Sequence, residues 1–430
     1  MRSRKLTALL MTTALCATAL FGCGSDDGQT TTTAAQGGNN EEAKEVTMKV
    51  WSPAEDQAEG CEWLQTQCNK FAEEHPNWKI TWVFETCGED KAGEMVAQDP
   101  AAAADVYMFA SDQIKKLVEC NGIAELAGEA ATYVQNTNSE AIVDNVTYDG
   151  AIYGIPYTAN CWYMYYDKRV FSEEDVKSLD TMLENGRVAF DIGGPWYIEA
   201  FYLACGATFG PDSDPSVVMN GEGGIEATKY IAGLIENENF IAAGGVSGLG
   251  DTIDAAFSGS WDLANAKELL GENLGMAVPP TINVENGDGQ MKGFASAKAV
   301  GVNPNTADME VAIELAKFLC SEEAQKARYE LRNVIPCNTA LLEDEAIAND
   351  EGFIAQNGAY ENCSIVQPAY LNDFDYWTQA GNMGSQLING DVTAANAAEA
   401  VDAMNKAMND AAIAAGVINK RNLQRTRTRD

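Results

Sequence analysis

The sequence predicts an α/β protein of two lobes, on three observations. From Val46 onward it reads strand, helix, strand, and the same alternation of the two periods continues to about residue 408. At 430 residues with 46% hydrophobic content, the chain is also longer than a single core usually supports.

The residues before this body read as an export and anchoring segment. Arg2, Arg4 and Lys5 precede an apolar stretch from Leu6 to about Phe21, too short for the roughly 20 residues of a spanning helix. Leu20-Phe21-Gly22-Cys23 is similar to a bacterial lipobox, with Phe21 a departure from the usual small or aliphatic residue. Residues 1–22 are therefore expected to be a lipoprotein signal and Cys23 the lipidated first mature residue. Residues 23–45 are polar and read as a flexible tether. The body would then be held outside the cytoplasm, against the bacterial cell membrane.

In the body, Val46, Met48 and Val50 alternate with polar residues as a strand does. Leu64, Cys68 and Phe71 repeat at helical spacing until His75-Pro76, and Ile80, Trp82 and Phe84 alternate again. DVYMFAS at 105–111, VAFDI at 188–192 and GMAVPP at 275–280 read as further strands. Ala227, Ile231 and Leu234 share a helix face, as do Ala312, Leu315, Ala316 and Leu319, and then Ala397, Val401, Met404 and Met408. Residues 416–430 carry the one basic cluster and read as a solvated tail.

The formal charge is −36, and −39 once a signal with three basic residues is removed. Such a surface repels phosphates, so nucleic acid and anionic lipid headgroups are poor partners. Removing Cys16 and Cys23 from eleven cysteines leaves nine, so at least one thiol has no partner within a monomer; which of the others pair is not legible. The single histidine, His75, removes most metal and triad chemistries. No nucleotide-binding loop or nucleophile elbow is present and no cofactor is implied; GGVSGLGD at 244–251 lacks the preceding strand a phosphate loop needs. Carboxylates are too numerous for a catalytic pair to stand out, which leaves a glycosidase open.

What is present is a series of aromatics where strands run out: Trp51, Phe109, Trp162 with Tyr163, Trp196 with Tyr197, Trp261, and Tyr376 with Trp377. α/β sheets bind ligands at strand ends, and a sugar, with apolar C–H faces rimmed by hydroxyls, suits flat aromatic platforms ringed by polar groups. Any one of these aromatics is as readily a core residue.

YDGAIYGIPYTANCWYMYYDKRVF at 148–171, GGPWYIEAFYLACGATFG at 193–210, AAFSGSWDLAN at 255–265 and KGFASAKAVGVNPNTADMEVAIELAKFL at 292–319 together resemble the family 1 extracellular solute-binding proteins, above all their maltose/maltodextrin branch. The resemblance runs from about Val46 to about Met408. It implies the two-lobed type II periplasmic-binding-protein fold with a ligand cleft between the lobes. The first lobe would span 46–158 and 292–345, the second 160–288 and 350–415, with crossovers near 158–161, 283–292 and 342–350. It places sugar-stacking aromatics at Phe109, Trp196, Trp261 and Trp377, and polar contacts at Asp56, Gln57, Asp112, Gln113 and Asn160. Asp56 and Asp112 also read as possible helix caps. Gln57 and Gln113 stand where the branch often has basic residues, Asn160 and Gly194 where it often has carboxylates, and Gly381 where it can have arginine. The implied function is non-catalytic: a monomeric, lipid-anchored receptor would capture an oligosaccharide and deliver it to the permease subunits of an ABC transporter. The alternatives are a receptor for another glycan or an amine, a surface glycan-adhesion protein, or a glycan-active enzyme.

Overall fold

The computed structural model describes residues 43–210, 215–219, 221–285 and 287–418. The signal, the lipidation site Cys23, most of the tether and the Lys420–Arg429 cluster lie outside these residues. Lys44 and Glu45, assigned to the tether by sequence, already belong to the first strand, where they pair with Trp78 and Lys79. Ile418, assigned to the tail, is buried.

Two sheets organise the body. In the first, the order runs Ser364–Val366, Gly293–Val302, Val106–Ala110, Lys44–Ser52, Trp78–Thr86, and Ile155–Asn160 also pairs with Gly293–Val302. Lys44–Ser52 runs parallel to both of its neighbours, whereas Gly293–Val302 is antiparallel to Val106–Ala110 and to Ile155–Asn160. In the second sheet the order is Phe240–Ile241, Val188–Ala189, Ala255–Ser258, Tyr163–Asp167, Leu274–Ala277, with Tyr163–Asp167 antiparallel to both neighbours.

The helices form where the apolar repeats place them, because each can bury one stripe on a sheet. Leu64, Cys68 and Phe71 of helix Trp63–Glu74 are fully buried, as are Ala312, Leu315 and Ala316 of Met309–Leu319. Helix Ala397–Ala414 turns Ala397, Val401 and Met408 inward. His75 follows the last turn of the first helix and stacks on Trp78 with ring centroids 4.7 Å apart, a packing role. Between Thr147–Tyr148 and Ala151–Ile152 the hairpin turns on Asp149 and Gly150, both at positive φ, as the tight Asp-Gly turn requires.

One core gathers residues from Val46 to Tyr157 and from Ala297 to Ala324; another gathers Trp162 to Phe294 and Tyr370 to Met408. A third cluster takes the alternate residues of the second sheet, Tyr163, Tyr165, Ala189 and Ala256, and so covers that sheet's other face; the chain is two-lobed, one lobe on each sheet. The strand Gly293–Val302 runs from one core to the other, with Phe294 in the second and Ala297 in the first. Among the described residues all nine cysteines are free thiols, six of them buried, and no helix is long and apolar enough to cross a membrane.

Candidate functional site

The strand ends that carry the predicted site residues break into single 3-10 turns: Ala54–Asp56, Ser111–Gln113 and Ser260–Asp262. A fourth turn, Ala369–Asn372, follows the edge strand Ser364–Val366. A short turn ends the ladder and aims two or three side chains off the sheet edge, which is what a cleft site needs.

Trp261 is the most exposed of the site aromatics, at 41%. Gly259 lets its ring fold back, since a Cβ at that position would stand 2.0 Å from the indole. Trp196 follows Gly193-Gly194-Pro195 and meets Trp261 at a centroid distance of 6.1 Å with planes 49° apart, while Tyr197 meets Trp196 edge-on at 5.4 Å. Two indoles thus form an angled, half-open surface. Trp377, in the first turn of helix Tyr376–Ile388, packs edge-on against Phe294 and Tyr376 and remains partly exposed.

Side-chain amides meet the indole N–H groups of Trp377 and Trp196. The Trp377 Nε1–H donates to Asn372 Oδ1 at 2.8 Å, and Asn372 Nδ2 donates to the Asp112 carbonyl at 2.9 Å. The Trp196 Nε1–H donates to Gln367 Oε1 at 2.9 Å, and the Gln367 and Asn372 amides lie beside the Asp112 carboxyl. Burial, reinforced by Asp90, pushes that carboxyl up to about 6, although these amides and its own backbone N–H favour the charged form. Beside these amides, Lys115 pairs with Asp373.

Lys298 also approaches Trp261, with Nζ over the ring 5.5 Å from the indole centroid, and pairs with Glu89 at 3.5 Å. The Tyr157 hydroxyl donates to Glu89 Oε1 at 2.6 Å. Burial alone would raise the Glu89 carboxyl, but Lys298, Arg328 and the Tyr157 bond outweigh it and hold it down at about 2. Glu89 is thus charged throughout the physiological range.

Among the predicted polar contacts, Asn160 is partly exposed and donates to Ser296 Oγ at 2.9 Å. Gln113 is engaged at both ends of its amide, accepting from the Gly93 N–H and donating to the Glu89 carbonyl. Gln57 donates to Ser52 Oγ at 3.0 Å and to the Glu85 carbonyl at 3.0 Å. Both glutamines brace the loops around the site.

Two predicted residues are displaced from it. Phe109 is fully buried, packed edge-on to Tyr107 and against Gly154 and Gly301, because every residue of Val106–Ala110 is covered on both faces; it is a core residue and offers no stacking surface. Asp56 is also fully buried and caps no helix; it is gripped by the guanidinium groups of Arg328 and Arg332, with Arg328 Nε 3.0 Å from its Oδ1. Trp51, Trp162, Tyr163 and Tyr376 likewise belong to the cores.

The sequence reading missed Glu89, Lys298, Gln367 and Asn372. Lys298 did leave a signal: it is a lone cation in the strand GFASAKAVGV, whose other nine residues are all buried. Gln367 left none, because its partner Trp196 lies 171 positions away in sequence.

Residues 66–355 match the family model described as bacterial extracellular solute-binding protein, which is more than half of the chain. A structure solved with acarbose is 44% identical, covers 85% of this chain and 99% of its own, and superposes with a TM-score of 0.81. The galactooligosaccharide-binding protein of Bacillus subtilis (strain 168) is 26% identical over 272 residues, 57% of this chain and 63% of that protein, so the match spans less than two thirds of that relative. The maltooligosaccharide ABC transporter solute-binding lipoprotein of Streptococcus pneumoniae (strain ATCC BAA-255 / R6) is 24% identical over 422 residues, covering 92% of this chain and 95% of its own.

Proposed function

The chain belongs to the bacterial extracellular solute-binding proteins, and from that premise we propose that it captures an oligosaccharide, maltodextrin-like in character, and hands it to an ABC importer. The observation that carries this reading is the angled pair Trp196 and Trp261, 6.1 Å apart, with one ring 41% exposed and ionic and amide groups at its edges. Flat apolar faces take the C–H faces of a pyranose, and the surrounding polar groups take its hydroxyls. Relatives named for maltooligosaccharide and galactooligosaccharide, and one solved with acarbose, support the same ligand class.

In this reading Trp196, Trp261 and Trp377 form the platform on the second lobe, and Asn160, Asp112, Lys298 and Glu89 meet the hydroxyls. Lys298 and Glu89 restore charged contacts where the family's usual positions are neutral, at Gln57, Gln113 and Asn160. No bond is made or broken. A ligand touching both lobes binds the closed form better and so selects it, and the closed form is what the permease subunits would read.

Titration calorimetry of the protein with maltotriose, longer maltodextrins, galactooligosaccharides and β-linked glucans tests the reading. Saturable binding of the α-linked glucans is the expected result. Binding of galactooligosaccharides alone would move the ligand to the other named relative, and silence from a folded sample across the panel would sink the oligosaccharide assignment.

The anchor belongs to the same reading: Cys23 carries the lipid, and the protein works as a monomer beside its importer. A Cys23→Ser variant expressed in a bacterial host should leave the membrane fraction and appear soluble. Retention at the membrane would assign the tethering to another part of the chain.

A further inference from the structure

We propose that Lys298 clasps the two lobes together, its ammonium held in the first lobe by Glu89 and laid over the Trp261 indole of the second, so that the empty protein is biased toward the closed cleft. The effect on affinity rests on the oligosaccharide reading; the contact itself needs no ligand.

Placement carries the first step. Lys298 pairs in register with Ala110 and Thr158 of the first sheet, and its neighbours Ala297 and Ala299 are buried in the first core. Glu89 belongs to the same lobe: its carbonyl accepts from the Ala110 N–H at 3.1 Å and from Gln113 Nε2 at 2.8 Å, and its carboxyl accepts from the Tyr157 hydroxyl at 2.6 Å. Trp261 stands on the turn after Ala255–Ser258 of the second sheet, a turn fixed by the Ser258 hydroxyl donating to Asp262 Oδ2 at 2.6 Å. Among the described residues the other cation–π contacts, Lys317 on Tyr133 and Arg328 on Trp63 and Tyr157, stay within the first lobe. The contact of Lys298 with Trp261 spans the cleft.

Electrostatics carries the second step. The Lys298 side chain is 21% exposed and that of Glu89 14%, so water screens the ammonium little, and the ion pair keeps it from swinging away. An ammonium over an indole is attracted by the quadrupole of the ring, the more so when partly desolvated. Opening the cleft loses that attraction, whereas the pair with Glu89 survives because both residues travel with the first lobe. A cation–π contact of ordinary strength multiplies the closed-to-open ratio about 2-fold to 5-fold. A ligand that needs the closed form then binds tighter by at most the same factor, since apparent affinity scales with the fraction already competent. Lys298 is thus a positioning residue for the lobes, besides any hydrogen bond it gives the sugar.

Small-angle X-ray scattering of the ligand-free protein reads the lobe equilibrium, and calorimetry with maltotriose reads its effect on affinity. Lys298→Met should enlarge the radius of gyration of the empty protein and weaken maltotriose binding about 2-fold to 5-fold, while variant and parent scatter alike once saturated. Lys298→Arg, which keeps a cation for both Glu89 and the ring, should stay as compact as the parent. Trp261→Leu leaves the ion pair in place and should expand the empty protein as Lys298→Met does; it also serves should Lys298→Met fold poorly. The double variant should expand it no further, because the same contact is lost in each case. An empty Lys298→Met protein as compact as the parent, or further expansion when that change is added to Trp261→Leu, would overturn the clasp and leave the oligosaccharide reading standing. Expansion in both single variants, with no glucan bound by the parent, would withdraw the sugar and keep the clasp.

Discussion

Asp56→Ala is expected to lower the stability of the first lobe by about 3–5 kcal/mol, because it strands a buried cation. The Arg328 side chain is 2% exposed, its guanidinium carbon lies 4.0 Å from the Tyr157 ring centroid and 4.8 Å from that of Trp63, and Asp56 is the carboxylate that grips it. A buried pair adds little net stability relative to an apolar core, but removing one member leaves the desolvation cost of the other without compensation. In thermal unfolding the midpoint should fall on the order of 10 °C for a lobe of this size. Arg332, with a side chain 19% exposed, can turn to water and will not rescue the site. Asp56→Ala combined with Arg328→Met should recover most of the loss, since the second change removes the stranded charge and leaves an apolar chain between two rings. A variant that melts like the parent but binds sugar more weakly would return Asp56 to the ligand site, where the family resemblance put it.

Asp56 shows where reading by sequence runs out. Its partner Arg328 lies 272 positions away, and nothing local distinguishes a carboxylate aimed at a ligand from one turned into the core. Gln367 fails to show for the same reason, since its partner Trp196 lies 171 positions away. Phe109 is different, because its fate was legible. Val106-Tyr107-Met108-Phe109-Ala110 is an unbroken apolar run, and such a run marks a strand covered on both faces, as this one is. The family pattern overrode that local signal. Where periodicity alone was used it held: Leu64, Cys68 and Phe71 are fully buried, and so are Ala312, Leu315 and Ala316, since a repeated stripe must face something apolar. The alternation of Ile80, Trp82 and Phe84 also found a strand, though a half-covered one, because Trp78–Thr86 lies at the edge of its sheet. Trp196 and Trp261 are two of the four candidate stacking residues that strand-end position and the family pattern both name, and the fold brings them into contact.

That contact makes the second large effect specific to each ring. Trp261→Ala should weaken maltotriose binding about 10-fold or more, a loss of at least ~1.4 kcal/mol, while leaving the melting curve within about 2 °C of the parent. The ring is 41% exposed and no protein hydrogen bond depends on it among the described residues, so its truncation costs the fold only the packing against Trp196 and Lys298, while the exposed part is surface for a ligand to cover. Trp196→Ala should lose as much affinity and also some stability, because it takes the indole from Tyr197 and leaves Gln367 Oε1 without its donor. Trp196→Phe separates the two, keeping an aromatic face without the N–H. Lys298→Met is expected to cost less than either tryptophan, since its cation is already paired with Glu89 and would share only part of its hydrogen-bonding capacity with a sugar hydroxyl. The doubly truncated Trp196→Ala/Trp261→Ala protein should fall short of the product of the single losses, because rings 6.1 Å apart present one continuous surface and not two independent ones. Full affinity in a folded Trp261→Ala protein would leave that exposed ring without a ligand to explain it. The stacking surface would then have to be sought around Trp377, which packs edge-on against Phe294 and Tyr376 and stays partly exposed.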